Sequence, residues 1–288
     1  MKSFTVPALV IRREYAAPPQ RVYDAWTNPD LARQFLCPQG MTVADAAMDV
    51  RAGGSYRIDM RTPEGEAYVA FGTYRDVQPG RRLTMTWQWQ EESPAEEHET
   101  LLTLEFNPLG SGTELILTHE RLSSDESRQN HANGWTSILQ RLHGVYGSLI
   151  ATLDVQASPE RVFHALASEE ITQWWVRPGV FDTREWNGDP RVGGRWTASG
   201  IGGGNPYTLE GEFLEVQAPA KLMHTWHVAG APAPATTVSY VLERSERGTR
   251  VTLQHTGFTN AEACANTAAG WETSFEKLKE LLESDSAR

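Results

Sequence analysis

The sequence predicts an α+β protein made of two tandem copies of one domain. Each copy is expected to be a curved antiparallel β-sheet wrapped around a long C-terminal helix. Three observations lead there. The chain repeats itself in order along nearly its whole length. Each copy carries a run of short segments with period-two alternation, broken by turn residues. Each copy then closes on a long stretch of helical periodicity.

The repeat is read first. Pro19, Arg21, Val22 and Ala25 return at Pro159, Arg161, Val162 and Ala165, and Asp49, Arg51, Gly53 and Gly54 at Asp189, Arg191, Gly193 and Gly194, all at an offset of 140. Leu83, Thr86 and Trp87 return at Leu222, Thr225 and Trp226 with an offset of 139. Leu117, His119, Gly134 and Trp135 return at Leu253, His255, Gly270 and Trp271 with an offset of 136. The order never breaks, and the changes of offset fall between elements. Domains are expected at 1–146 and 149–288, the junction lying between Gly144 and Ser148. So short a connection predicts domains in contact.

Within a copy the elements follow in order. A strand opens each, over Val10–Tyr15 and Leu149–Val155. A helix follows at Pro19–Thr27 and Pro159–Ala167, with Ser158 as N-cap and proline in the first helical position. A second short helix starts near Pro29 or Glu169 and carries Leu31 and Phe35, or Ile171, Trp174 and Trp175. Five alternating segments come next: Ser55–Arg61, Tyr68–Val77, Arg82–Gln90, Thr100–Phe106 and Thr113–Glu120 in one copy. In the other they are Arg195–Ser199, Tyr207–Val216, Lys221–Val228, Thr237–Glu243 and Thr249–Thr256. Turns such as Pro63-Glu64-Gly65, Pro79-Gly80 and Gly110-Ser111-Gly112 are too short for anything but an antiparallel meander. Capping-box spacings, Ser123 with Glu126 and Thr259 with Glu262, mark the start of the closing helix. Its apolar stripe is Trp135, Ile138, Leu139, Leu142 and Val145, matched by Trp271, Phe275, Leu278 and Leu282. The predicted order is β-α-α-β-β-β-β-β-α.

Composition narrows the function classes. Of 288 residues 40% are hydrophobic and 22% charged, and 37 acidic residues against 26 basic ones give a net charge of −11. That balance argues against nucleic acid or an anionic membrane as a partner. Cys37 and Cys264 do not correspond between the copies and form no CxxC pair, which suits two thiols in a reducing compartment. No apolar run approaches the ~18 residues of a spanning helix, and the N-terminus does not read as a signal peptide. The protein is read as cytoplasmic.

Four motifs carry a family resemblance. They are the helix starts Pro19-Gln20-Arg21-Val22-Tyr23 and Pro159-Glu160-Arg161-Val162-Phe163, and the turns Asp49 to Tyr56 and Asp189 to Trp196 with their paired glycines. Next come the stretches from Gly72 and Gly211 through Val77 and Val216 to Leu83–Trp87 and Leu222–Trp226, and last the Gly-Trp of the closing helix. By these the chain resembles the START-like superfamily, also called SRPBCC or helix-grip, and within it the branch named after the activator of the heat-shock-protein-90 ATPase, the AHSA1-like domains. The resemblance covers both copies. It implies a cavity between sheet and helix that holds hydrophobic or amphipathic small molecules. Some relatives cyclise polyketides, and the namesake branch assists a chaperone, so a chaperone is the protein partner it implies. The matched motifs are framework motifs and name no substrate.

Parity along the strands selects candidate site residues. Leu83, Met85, Trp87 and Trp89 share one face, as do Leu115, Leu117 and His119; in the second copy the faces are Leu222, His224, Trp226 and Val228, then Val251, Leu253 and His255. The expected ligand-binding set is Trp87, Trp89 and His119 in the first copy, with His224, Trp226 and His255 in the second, joined by Trp174 and Trp175, which are expected on the short helix at the cavity mouth. Rigid indole walls suit flat apolar ligands. The histidines are open to two readings, a polar anchor in the pocket or a core group held by a hydrogen bond. Gly202-Gly203-Gly204 reads as a loop, and Glu91, Glu92, Glu96, Glu97 and Glu99 read as a solvated hairpin tip. With no HExxH spacing, no Gly-x-Ser-x-Gly elbow and no Cys–His arrangement, neither metal, cofactor nor catalytic residue is expected.

The expected function is non-catalytic binding of a small hydrophobic or amphipathic molecule. The alternatives are an aromatase/cyclase-type enzyme of polyketide metabolism and a chaperone accessory protein. The second cavity is expected to be the more polar one, on account of Trp174, Trp175, His224 and the glycine-rich loop.

Overall fold

The structure, a computed structural model, describes residues 6–90, 98–110 and 112–285. It separates into two compact units, Met1–Tyr146 and Gly147–Arg288. The first domain runs β1 (Leu9–Tyr15), α1 (Pro19–Thr27), α2 (Pro29–Phe35), β2 (Thr42–Met48), β3 (Ser55–Arg61), β4 (Ala67–Gln78), β5 (Arg82–Trp89), β6 (Thr100–Leu109), β7 (Gly112–Glu120) and α3 (Asp125–Tyr146). The second runs β8 (Ser148–Val155), α4 (Pro159–Leu166), α5 (Ile171–Trp174), β9 (Val176–Arg177), β10 (Phe181–Gly188), β11 (Arg195–Gly202), β12 (Asn205–Gln217), β13 (Lys221–Val228), β14 (Thr236–Ser245), β15 (Gly248–Thr256) and α6 (Ala261–Asp285).

Each sheet is an antiparallel meander whose first strand returns to pair with the last. The orders are β1-β7-β6-β5-β4-β3-β2 and β8-β15-β14-β13-β12-β11-β10-β9. A bulge between Tyr74 and Asp76 in β4, and its counterpart between Phe213 and Glu215 in β12, adds local twist where the sheet must curl. The paired glycines before β3 and β11 have separate tasks. Gly53 and Gly193 adopt φ of 80° and 78°, which favours glycine. A Cβ on Gly54 or Gly194 would lie about 2 Å from the carbonyl oxygen of Asp49 or Asp189, so the turn closes only without one.

The expected inner faces are mostly buried: Leu83, Leu115, Leu117 and His119 have no exposed surface in the first domain, nor have Leu222, Val251, Leu253 and His255 in the second, while Val228 at the end of its strand is 46% exposed. Trp135, Ile138, Leu139 and Leu142 of α3 pack into one core, and Trp271, Phe275, Leu278 and Leu282 of α6 into the other. The α+β architecture of two curled sheets, each with its C-terminal helix, is therefore the predicted one.

Three details differ from expectation. Each copy has a further strand before the meander, β2 or β10, and the second adds the two-residue β9. The β2 segment Thr42-Val43-Ala44-Asp45-Ala46-Ala47-Met48 lies at the sheet edge with one buried residue, Ala46, so it lacks the alternation that announces a half-buried strand. The closing helices begin one residue later than the capping boxes placed them. Ser124 Oγ accepts from Ser127 N and Asn260 Oδ1 from Ala263 N, so the caps are Ser124 and Asn260. Ser158 caps α4 as expected, accepting from Arg161 N. Glu91, Glu92, Glu96 and Glu97 of the acidic stretch, and Ser111 of one turn, lie outside the described residues. Glu99 faces Arg75 and Arg121 at 3.6 and 3.9 Å. Among the described residues no helix is long and apolar enough to cross a membrane.

Candidate functional site

Each domain holds a cavity between the middle of its closing helix and the β3–β5 or β11–β13 side of its sheet, of about 540 Å³ in the first and about 520 Å³ in the second. The helix contributes residues on one face. Asn130, His131, Gly134, Trp135 and Ile138 line the first cavity; Asn266, Thr267, Gly270, Trp271 and Ser274 line the second. The two sets are spaced alike, one turn apart along the helix. A Cβ built on Gly134 meets nothing within 4 Å, and one on Gly270 touches only the Phe181 ring, at 3.7 Å. These glycines leave the helix surface bare where the cavity floor lies. Trp87 and Trp226 form the corresponding sheet walls, with Tyr68 and Tyr207 farther out.

Behind the walls sits a hydrogen-bond relay that is the same in both domains. The Trp135 indole N–H donates to His119 Nδ1 at 2.9 Å. With that nitrogen accepting, the ring proton is on Nε2, which donates to Thr100 Oγ1 at 2.6 Å, and the Thr100 hydroxyl donates to the Trp87 carbonyl at 2.7 Å. In the second domain Trp271 donates to His255 Nδ1 at 3.1 Å, His255 Nε2 to Thr236 at 2.6 Å, and Thr236 to the Trp226 carbonyl at 3.1 Å. Every donor and acceptor of the imidazole is used. Burial, aided by a neighbouring histidine, pushes both His119 and His255 down to about 3.

The structure divides the expected site residues. Trp87 and Trp89 line the first cavity, and Trp175 and Trp226 the second. His119, His255, His224 and Trp174 do not reach either lining. His119 and His255 are consumed by the relay. His224 is 4% exposed and turns its Nδ1 back to the Thr225 carbonyl at 3.0 Å beside the Trp196 ring; burial lowers it to about 4. Trp174 has no exposed surface and donates to the Ala165 carbonyl at 3.0 Å. It is a core residue tying α5 to α4, where a place at the mouth was expected. Parity assigns a strand side chain to a face of the sheet, but not to a depth along it, and the three histidines lie past the end of the open space.

Other residues take their place. In the first cavity His131 is the titratable group on the wall. Its Nδ1–H donates to the Ser127 carbonyl at 2.8 Å, and its Nε2 accepts from the Trp89 indole at 3.3 Å. Burial lowers its pKa. The second cavity has Thr267 at that position and gains polarity elsewhere. Across strands, Val43–Met60–Tyr68 in one domain corresponds to Thr183–Gly200–Tyr207 in the other. Met60 fills the middle of the row in the first domain, and Tyr68 is 46% exposed. Gly200 has no side chain to put there, since a Cβ would run into the Asp182 carbonyl, and the Tyr207 hydroxyl meets Thr183 Oγ1 at 2.7 Å. The Thr183 hydroxyl donates to the Trp175 carbonyl at 2.7 Å, so Tyr207 is the donor of the pair. The recurrence of Asn130 and Gly134 at Asn266 and Gly270 was the visible signal for the floor; the cross-strand row had none.

Among the described residues no three His, Cys, Asp or Glu side chains gather as a metal site. Both cysteines are free and buried.

The chain matches the family described as activator of Hsp90 ATPase homolog 1-like protein twice, over residues 16–147 and 156–283. It belongs to that family. Among solved structures, this tandem AHSA1-like chain is similar to protein CV1439 from Chromobacterium violaceum, 25% identical over 49% of this chain and 97% of that one, with a TM-score of 0.44. It is similar to the AHSA1 protein SPO3351 from Silicibacter pomeroyi, 28% identical over 48% and 95%, with a TM-score of 0.44. DynU16, from the dynemicin biosynthetic locus, is 17% identical over 96% of this chain and 98% of its own, with a TM-score of 0.39. A comparison with curated proteins finds no match.

Proposed function

We propose that each AHSA1-like domain binds a small hydrophobic or amphipathic molecule without transforming it. The observation that carries this reading is the pair of corresponding cavities, each floored by a bare helix glycine and walled by indoles. Burial of apolar area at ~25 cal/mol per Å² gives such a cavity affinity without any charged group. Acid–base catalysis needs a group that exchanges its proton near neutral pH. The relay histidines are held neutral and have no free lone pair, so they are not candidates for it.

Native mass spectrometry of freshly purified protein tests the reading. A co-purified small-molecule adduct, lost on denaturation, is expected. A protein that carries none and takes up no apolar probe in titration calorimetry would refute it. Gly134 supplies a sharper test. Glycine inside a helix costs ~1 kcal/mol relative to alanine, and its Cβ direction is open. Gly134→Ala should therefore stabilise the first domain by about 0.5–1 kcal/mol. Gly134→Leu should fill that cavity and remove its probe binding while the fold persists. Unchanged binding in Gly134→Leu would place the ligand elsewhere.

One observation favours the aromatase/cyclase reading, the wall position of His131, whose anchored Nδ1–H leaves Nε2 facing the Trp89 indole. A turnover of a polyketide-like substrate that falls ~100-fold in His131→Gln would establish it. The family description names an activator of the Hsp90 ATPase; a partner of that kind would meet the outer surface, and our reading rests on the interior.

A further inference from the structure

The two cavities differ in one charged group. Arg177 of β9 lines the second cavity, and no charged arginine or lysine lines the first. The register explains why it points there. Arg177 stands directly opposite Phe181 on β10, and Phe181 stands opposite Gly202 on β11. Side chains directly across an antiparallel pair share a face, so Arg177 and Phe181 lie side by side facing the cavity. Gly202 adds no side chain to this row. A Cβ there would lie 3.3 Å from the Tyr207 ring and 3.8 Å from the Phe181 Cβ, so no side chain stands between Phe181 and Tyr207 in this row.

Among the described residues no carboxylate pairs with Arg177. The nearest acidic neighbour in sequence on β10 is Asp182, which points to the opposite face. It is held by Arg184 at 3.1 Å and accepts from Ile201 N at 3.2 Å. The equivalent segment of the first domain is built differently. There Arg141 of α3 donates to the carbonyls of Gln34, Cys37, Pro38 and Met41 and clamps the loop after α2. In the second domain the segment is strand β9, and the helix position that corresponds to Arg141 is Lys277, paired with Glu280 at 2.7 Å. The helix cation of the first domain is thus spent on loop backbone, while Arg177 of the second has Cys37 as its counterpart and adds a cation that the first cavity does not have.

We propose that the second cavity is a site for a flat apolar carboxylate, its ring system against the Phe181, Tyr207 and Trp226 side chains that line the cavity and its carboxylate on the Arg177 guanidinium. The assignment rests on the small-molecule reading above and specifies the ligand class of one cavity. The planar guanidinium fork matches a carboxylate with two charge-assisted bonds. The net charge of −11 disfavours anions at long range, so an anion is taken up only where a local cation lacks a partner.

Titration calorimetry on the full chain with 2-naphthoate and its neutral analogue 2-acetonaphthone tests this. The wild-type protein should bind the carboxylate tenfold or more tightly than the ketone, and added salt should narrow the gap. Arg177→Gln should bring the ratio to within about twofold, and Gly270→Leu should remove the carboxylate site by filling its floor. Equal affinities in the wild type, a ratio untouched by Arg177→Gln, or naphthoate binding that survives Gly270→Leu each overturn the assignment and leave the cavity reading standing. Binding of neither probe overturns both. Arg177 is partly exposed and makes no fold-holding contact here, so Arg177→Gln should fold; its circular dichroism checks that.

Discussion

Acidification from pH 7.5 to 4.5 is expected to unfold both domains, over a range in which carboxylate pairs are only beginning to fail. The cause is histidine. His119 and His143 in the first domain and His255 in the second are pushed down to about 3, and His224 to about 4, in each case chiefly by burial. An unfolded chain protonates its histidines near 6.5. Between that value and the folded one the unfolded state binds more protons, so stability is fully present above ~6.5 and falls as pH drops. By linkage each such histidine withdraws about 2–3 kcal/mol at pH 4.5. Two per domain amount to about 5 kcal/mol, comparable to the whole stability of a small domain. Surface carboxylates held low by arginine, Asp45 by Arg33 and Asp154 by Arg250, contribute in the same direction only at more acid pH. Urea midpoints measured at pH 7.5, 6.5, 5.5 and 4.5 by circular dichroism check this. A midpoint that holds steady down to pH 5 would mean that these rings are solvated.

The second large effect is expected at the relay. Trp271 is 3% exposed and donates to His255, and Trp135 at 2% is its counterpart. Trp271→Ala removes a large buried side chain and should cost about 3–5 kcal/mol. Trp271→Phe keeps most of the bulk but leaves the His255 Nδ1 without its donor, which should cost about 1–3 kcal/mol. Urea denaturation of both variants separates the contributions. If Trp271→Phe is neutral, the indole N–H has no structural task; if Trp271→Ala loses less than about 1 kcal/mol, the residue is not core.

The meander was legible because apolar Leu83, Met85 and Trp87 alternate with polar Thr84 and Thr86, a period of two in residue type although both faces of this central strand are buried. The edge strands were not. Thr42–Met48 and Phe181–Gly188 pair on one side or cover little, and their composition carries small or polar residues at both parities. The helix caps were displaced by one because Ser123-Ser124 and Thr259-Asn260 each offer two oxygens, and only the entry path of the chain decides between them. For the site, the indoles Trp87 and Trp226 were legible as inner-face bulk. The histidines were on the right face and at the wrong depth. What places His119 is Thr100 on the next strand and Trp135 on the helix, 19 and 16 residues away. Arg177, Gly200 and Tyr207 form their arrangement across β-ladders, where register is known only once the strands are paired.

The indoles also make the protein its own optical instrument. Trp87 and Trp135 have ring centroids 4.8 Å apart, and Trp175 lies 4.8 Å from Trp226 and 5.9 Å from Trp271. Rings so close and fixed at set angles share excitation, so absorbed light migrates among them before it is emitted. A guest against Trp226 therefore dims its neighbours along with the ring it touches. The same coupling should give each domain a strong near-ultraviolet dichroism, which vanishes when the rings lose their fixed angles and reports occupancy and integrity without a label.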